Sequence, residues 1–217
     1  MSGQPRGRRD AQRNRQLLLD AALTAFTGEA GTASLESIAK SAGVGIGTLY
    51  RHFPSREALI EAVYRSELEQ LCDQAAHLLA DHAPEVALQI WLGRYADFVA
   101  TKRGMAEALR EVTASGAVTS AQTRERLSAA IRSVLDAGIS AGTLRDDVRP
   151  EDITAAMAGA TLAGIDREQI DRLLDLLLDG VRPGAGRPSD AGRPIVIERG
   201  SVPSRSPGRA YRDDPRR

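Results

Sequence analysis

One stretch constrains this chain more than any other: SLESIAKSAGVGIGTLYRHFPSREAL, from Ser34 to Leu59. Ser34 is a good N-cap, because its hydroxyl can accept from an amide of the first helical turn. Leu35, Ile38, Ala39 and Ala42 then fall on one helical face, which predicts a helix of about two turns. Gly43 supplies the left-handed conformation that stops a helix sharply, and Val44 can turn back into the core. A second short helix is expected from about Ile46 to Phe53, ended by Pro54. Two short helices joined by a tight Gly-containing turn form a helix-turn-helix, whose second helix can lie in the major groove of DNA. Here that helix carries Thr48, Tyr50, Arg51 and His52, four side chains able to hydrogen-bond to phosphates or base edges.

The run Gly47-Thr48-Leu49-Tyr50-Arg51-His52-Phe53, followed by Ser55-Arg56-Glu57-Ala58-Leu59, resembles the DNA-binding signature of the tetracycline-repressor (TetR) family. In that family a GxLYxHF recognition helix leads into an S/N-K-x-x-L start of a long linker helix. The likeness runs from Asn14 to Tyr64, and the rest of the chain holds no motif of comparable strength. It implies a ligand-responsive regulator: a homodimer that binds a double-stranded DNA operator and answers to a small-molecule effector, with repression as the usual outcome. It also assigns Tyr50 and His52 to backbone phosphates, since residues at those places of the motif make such contacts. Arg56 stands where the family usually has Lys, which implies a phosphate clamp at the start of the linker helix. Where many relatives carry Arg on the first helix of the motif, this chain has Glu36, which argues against base contacts from that helix.

The residues themselves leave other assignments open. Tyr50 can instead pack on the linker helix. Thr48 can offer its hydroxyl to phosphate or its methyl to thymine, or serve only as a cap. Arg51 is the best candidate for reading guanine O6 and N7; the alternative is an ordinary solvated arginine. Ser34 and Ser37 can bind phosphate. Gly45, Ile46 and Gly47 leave the second helix bare at its N-terminal end, so backbone can approach DNA closely while direct reading rests on few side chains. Arg6, Arg8 and Arg9 either follow the minor groove as an arm or form a plain tail.

Charge supports the same reading. The 29 basic and 29 acidic residues cancel overall. Residues 1–56 nevertheless hold 8 basic against 4 acidic, residues 57–181 hold 12 against 21, and residues 182–217 hold 9 against 4. A basic head on an acidic body presents only the head to phosphate. The single cysteine, Cys72, excludes an internal disulfide and suits a reducing, cytoplasmic setting. No run of about 18 apolar residues occurs, so no membrane span is expected, and the basic N-terminus lacks the apolar core of a signal peptide. No HExxH, phosphate loop or GxSxG is present. His77 and His82 are five apart, a poor spacing for a helical metal pair. No catalytic residue, metal ligand or cofactor is therefore expected, and the chain reads as no enzyme. A protein-binding adaptor that keeps the helical body is the remaining alternative.

Along the chain the pattern is all-α, about nine helices, with a three-helix head and a helical body. Residues 1–9 read as a disordered basic arm, 10–54 as the helix-turn-helix domain, 55–182 as an effector-binding and dimerisation domain, and 183–217 as a disordered basic tail. Helices are expected from Asp10 to near Gly28 or Gly31, and at about Ser55 to His82, Glu85 to Lys102, Met105 to Val112 and Ser120 to Ala141. Pro150 suits a first helical position, and Asp166 with Gln169 has the spacing of a capping box for the last helix, ending near Gly180. On the helix from Glu85, Leu88, Trp91, Tyr95 and Phe98 share one face; they are the candidate ligand-binding residues, with Met105 and Leu109 closing the pocket and Arg94 and Asp97 at its rim. The alternative is plain core. Ala156, Gly159, Ala160 and Ala163 form a small-residue stripe, and Ile170, Leu173, Leu174, Leu177 and Leu178 a broad apolar face. Paired across a two-fold axis, these would make a four-helix dimer interface.

Overall fold

The computed structural model of the protein describes residues 5–28, 33–118, 120–162 and 166–184. Among these residues nine helices form and no strand does. The head comprises α1 (Pro5–Thr27), α2 (Leu35–Ser41) and α3 (Ile46–His52). The body comprises α4 (Arg56–Asp81), α5 (Pro84–Gly104), α6 (Ala106–Ala114), α7 (Ser120–Ser140), α8 (Pro150–Leu162) and α9 (Arg167–Val181).

The ends of these helices follow local chemistry. Ser34 Oγ accepts from Ser37 N at 3.2 Å, Ser55 Oγ from Ala58 N at 3.1 Å, and Asp166 Oδ1 from Gln169 N at 2.8 Å. Each satisfies an amide that the first helical turn leaves without a partner. Gly43 at φ 69° ends α2: its amide donates to Lys40 O and that of Val44 to Ala39 O. Gly142 at φ 71° ends α7 in the same way, with Gly142 N on Ile139 O and Thr143 N on Gly138 O. Both are Schellman closures, whose left-handed residue has no Cβ to clash.

One expectation is overturned at the N-terminus. The first helix begins at Pro5 rather than Asp10, so residues 5–9 are helical and not a disordered arm. Proline at a first helical position has its φ already set, and its missing N–H would be unpaired there in any case. Arg8 and Arg9 accordingly lie exposed on a helix. The basic tail lies outside the described residues from 185 onward.

A single apolar core runs from head to body. Leu18, Ala22 and Phe26 of α1, Ile38 and Ala39 of α2, and Leu49 of α3 enclose the head. Leu59, Ile60 and Val63 of α4 join that cluster, and Leu68, Leu71 and Ala75 carry it into the body. There α4 packs against α5, α6 and α7, while α8 and α9 cover α7 and α5. The head is thus seated on the N-terminal half of the longest helix.

The turn after α7 shows how closely the body is packed. A Cβ at Gly138 would lie 2.3 Å from Leu144 Cδ1 and 2.5 Å from its Cγ, and Leu144 is buried. Gly138→Ala is therefore expected to destabilise the fold by about 1–3 kcal/mol, despite alanine's better helix propensity. The check is a lowered urea midpoint at unchanged slope.

Candidate nucleic-acid interface

The head holds α3 by its inner side only. Leu49 is buried, and Phe53 closes the helix from below, with the Arg15 guanidinium 5.4 Å from its ring centroid. The opposite side is open: Tyr50 is 48% exposed, Arg51 is exposed, and Ile46 at the first position is 37% exposed. A Cβ built at Gly45 or Gly47 would meet nothing within 4 Å. The fold therefore makes no steric demand for glycine at either place.

The sequence-derived candidates sort as follows. Tyr50 does not pack away on α4, being half out in solvent. Thr48 is half-buried and is not the cap, because Gly45 holds that position and makes no side-chain hydrogen bond. His52 is half-buried, with its ring 6.1 Å from that of Phe53 at a tilt of 46°. Ser34 and Ser37 bond each other: Ser37 Oγ donates to Ser34 O at 2.8 Å, while Ser34 Oγ accepts from the Ser37 amide. The Ser37 proton is thereby engaged within the turn. The Ser34 hydroxyl proton remains available to an outside acceptor.

Arg56, where the sequence position implies a clamp, also makes contacts within the head. Its Nη1 donates to the Ala33 carbonyl, and its guanidinium lies 4.9 Å from the Phe26 ring centroid. The side chain ties the start of α4 to α1 and to the segment before α2. Spacing alone did not reveal this, since Ala33 and Arg56 are 23 residues apart. Neighbouring Glu57 is exposed, and its carboxyl is held below the usual range by the Ser55 hydroxyl and by its own backbone amide. It stays charged at the positive end of α4, where a carboxylate is favoured.

Behind the head, the candidate ligand face is core. Leu88, Trp91, Tyr95, Phe98 and Met105 are all buried, as is Leu109. Trp91 stacks on Tyr95 with centroids 5.9 Å apart, and its indole donates to Leu71 O of α4 at 2.9 Å. Tyr64 of α4, unflagged by the sequence reading, completes the group. Its ring lies 5.7 Å from Phe98, and its hydroxyl sits 2.9 Å from Thr123 Oγ1 of α7. Burial pushes the Tyr64 phenol up, against the Thr123 bond; burial, then Tyr64, pushes up that of Tyr95. Both phenols are neutral at physiological pH. Arg94 and Asp97 do not line this group: they are exposed, Arg94 donating to Gln74 Oε1 at 2.6 Å and Asp97 pairing with Arg167.

The candidate dimer faces divide. On α9, Ile170, Leu174 and Leu178 turn inward with Val181. Leu173 is 37% exposed, Leu177 is half-buried, and Leu176, which the sequence reading passed over, is 67% exposed. On α8, Ala156 and Gly159 are exposed and Ala160 half-buried; Ala163 lies outside the described residues. Arg145 pins the far end of α9, donating to Gly180 O at 2.9 Å while its other nitrogens grip Asp147 at 2.8 and 2.6 Å. No helix among the described residues is long and apolar enough to cross a membrane.

Comparison with known proteins points the same way. Residues 18–63 match the family described as bacterial regulatory proteins, tetR family, and residues 83–183 match the transcriptional regulator SbtR-like C-terminal domain. The chain is 47% identical to the TetR transcriptional regulator SCO0520 of Streptomyces coelicolor, over 78% of this chain and 99% of that one, with a TM-score of 0.71. It is 30% identical to a TetR regulatory protein of Mycobacterium vanbaalenii, over 81% and 98% of the two chains, with a TM-score of 0.66. A curated relative, the HTH-type transcriptional regulator SAR0097 of Staphylococcus aureus strain MRSA252, is 35% identical over 81 residues. That match spans 36% of this chain and only 42% of the relative's own length.

Proposed function

The chain belongs to the TetR family of bacterial transcriptional regulators, and we propose that it acts as a cytoplasmic repressor, binding a palindromic operator as a homodimer and released by a small effector. The observation that carries this reading is the face of α3: Tyr50 and Arg51 stand in solvent while Leu49 and Phe53 anchor the helix from behind. Tyr50, His52, Thr48 and Ser34 serve phosphates, and Arg51 reads a base. Gly47 admits the DNA backbone closely. Arg56 positions the head through Ala33 and Phe26 rather than acting first as a clamp. In the dimer two such helices sit about one DNA turn, ~34 Å, or a multiple of it apart.

Release needs a route from body to head, and α4 supplies one. It meets the aromatic group through Leu71 and Tyr64, and it meets the head through Leu59, Ile60 and Val63. An effector that parts Trp91, Tyr95 and Phe98 would displace α4 and change the spacing of the two recognition helices. The group offers mainly apolar surface and two neutral phenols, with the Lys102 ammonium 5.7 Å from the Tyr64 ring centroid at its edge, so the effector is mainly apolar. Its leverage is its differential affinity for the two states, typically 1–3 kcal/mol.

The test is fluorescence anisotropy with duplex DNA from upstream of the protein's own gene, at two salt concentrations and with excess competitor DNA. Tyr50→Ala with Arg51→Ala is expected to lower affinity on the order of a hundredfold without loss of helicity, since charge-assisted hydrogen bonds are removed from both half-sites. Arg56 is left intact, because its removal would disturb the head itself. Binding that competitor abolishes, and that the double variant retains, would defeat the reading.

A further inference from the structure

We infer that Ile46 is a sequence-reading residue, recognising the 5-methyl group of a thymine in each half-site; this rests on the DNA-binding reading above. Among the described residues the large apolar side chains in solvent are few: Leu17, Ile46, Tyr50, Val86, Leu173 and Leu176. Two of these, Ile46 and Tyr50, are four residues apart on α3 and so occupy one face of a seven-residue helix. Single exposed apolar residues are ordinary, but a pair on the one helix placed to enter the major groove is not explained by the fold.

The surroundings of Ile46 sharpen the inference. Gly45 and Gly47 flank it, and beside either one a Cβ would find open space. The branched side chain, 37% exposed, is thus the one side chain beyond Cα between two glycines, at the end of the helix that reaches bases in this type of docking. It has no hydrogen-bonding atom, so it cannot read the donor and acceptor edges that distinguish guanine, cytosine or adenine. The one apolar feature of the major groove is the thymine methyl. Gly47 lets the backbone come close enough for a short side chain to touch it. Arg51 would then read a different base from the last turn of α3, by hydrogen bonds.

The experiment is selection from randomised duplexes with the full wild-type chain and with Ile46→Ala, followed by affinity measurements on the enriched site. In the second step thymine is replaced by deoxyuridine, which lacks only the methyl. The wild type is expected to enrich thymine at one symmetric position per half-site. Deoxyuridine there should cost about fourfold per half-site, the transfer value of one methyl-sized group, hence on the order of tenfold for both. Ile46→Ala should bind thymine and deoxyuridine sites equally, each about as weakly as the wild type binds the deoxyuridine site, with helicity retained as judged by far-UV circular dichroism. Enrichment of sites with no such thymine, or an alanine variant still sensitive to deoxyuridine, would overturn the assignment while leaving DNA binding intact. Failure of the wild type to enrich any sequence would remove the DNA-binding reading, and this inference with it.

Discussion

Trp91→Ala is expected to destabilise the protein by about 3–5 kcal/mol, the range for truncating a fully buried aromatic side chain. Trp91 has no exposed surface, stacks on Tyr95 and reaches across to the Leu71 carbonyl. Leu71 O also belongs to the ladder of α4, so losing the indole donor does not orphan it; the cost comes from the void between α4 and α5. Against a total stability of roughly 5–15 kcal/mol, the variant should be folded only marginally. Urea titration followed by far-UV circular dichroism measures this, since the variant lacks the only tryptophan of the chain. Trp91→Phe, which keeps a ring beside Tyr95, should lose well under half as much. The result also bears on the effector. A packed side chain gives the full cost, whereas one lining a pre-opened cavity has fewer partners to lose and would cost about 1 kcal/mol or less. The structure predicts the former, so an effector of the kind proposed would have to prise this group apart.

Much of the fold was legible because its helices are punctuated by residues with one good use. Ser34, Ser55 and Asp166 cap, and Gly43 and Gly142 close, each through bonds to residues at most five away. Such signals need no tertiary information. The start of α1 was missed because a polar, arginine-rich run carries no apolar stripe, although Pro5 marked the position where a helix can begin. In the interface, Tyr50 and Arg51 were legible as exposed polar positions between Leu49 and Phe53. The hydrogen bond of Arg56 to Ala33 and its ring contact with Phe26 were not, because they join three segments that only the fold brings together. Ile46 was read only as part of a bare helix end with Gly45 and Gly47; that its side chain stays 37% exposed there is a property of the fold. The aromatic residues of α5 share one face as their spacing implies, but periodicity cannot tell what a stripe packs against. Its partner residues, Tyr64 and Thr123, lie on other helices.

The outer face of α9 gives the other large effect. Leu173 and Leu176 are three residues apart with Leu177 beside them, while Ile170, Leu174, Leu178 and Val181 hold the helix to the body from the opposite side. A leucine as open as Leu176, at 67%, contributes nothing to the subunit's own core. Burying it against a second copy is worth about 1.5–3 kcal/mol, and a two-fold axis counts each residue twice. The neighbouring Ala156 and Gly159 of α8 are exposed and small, so a partner helix can approach closely there. Leu173→Glu with Leu176→Glu places four carboxylates in that interface. It should yield a monomer by sedimentation or light scattering, with helicity and aromatic packing unchanged because the inward residues are untouched. Operator affinity should then fall by at least about a hundredfold, since two heads bound through one dimer gain 10²–10⁴ over either alone. A single head would still show the salt-sensitive attraction of its basic residues, so weak, competitor-sensitive binding should persist. A variant that stays dimeric would mean that the subunits pair through another face, and the exposed leucines of α9 would then need a different occupant. One that becomes monomeric yet keeps full operator affinity would instead remove the dimer from the mechanism, and with it the spacing on which release by α4 depends.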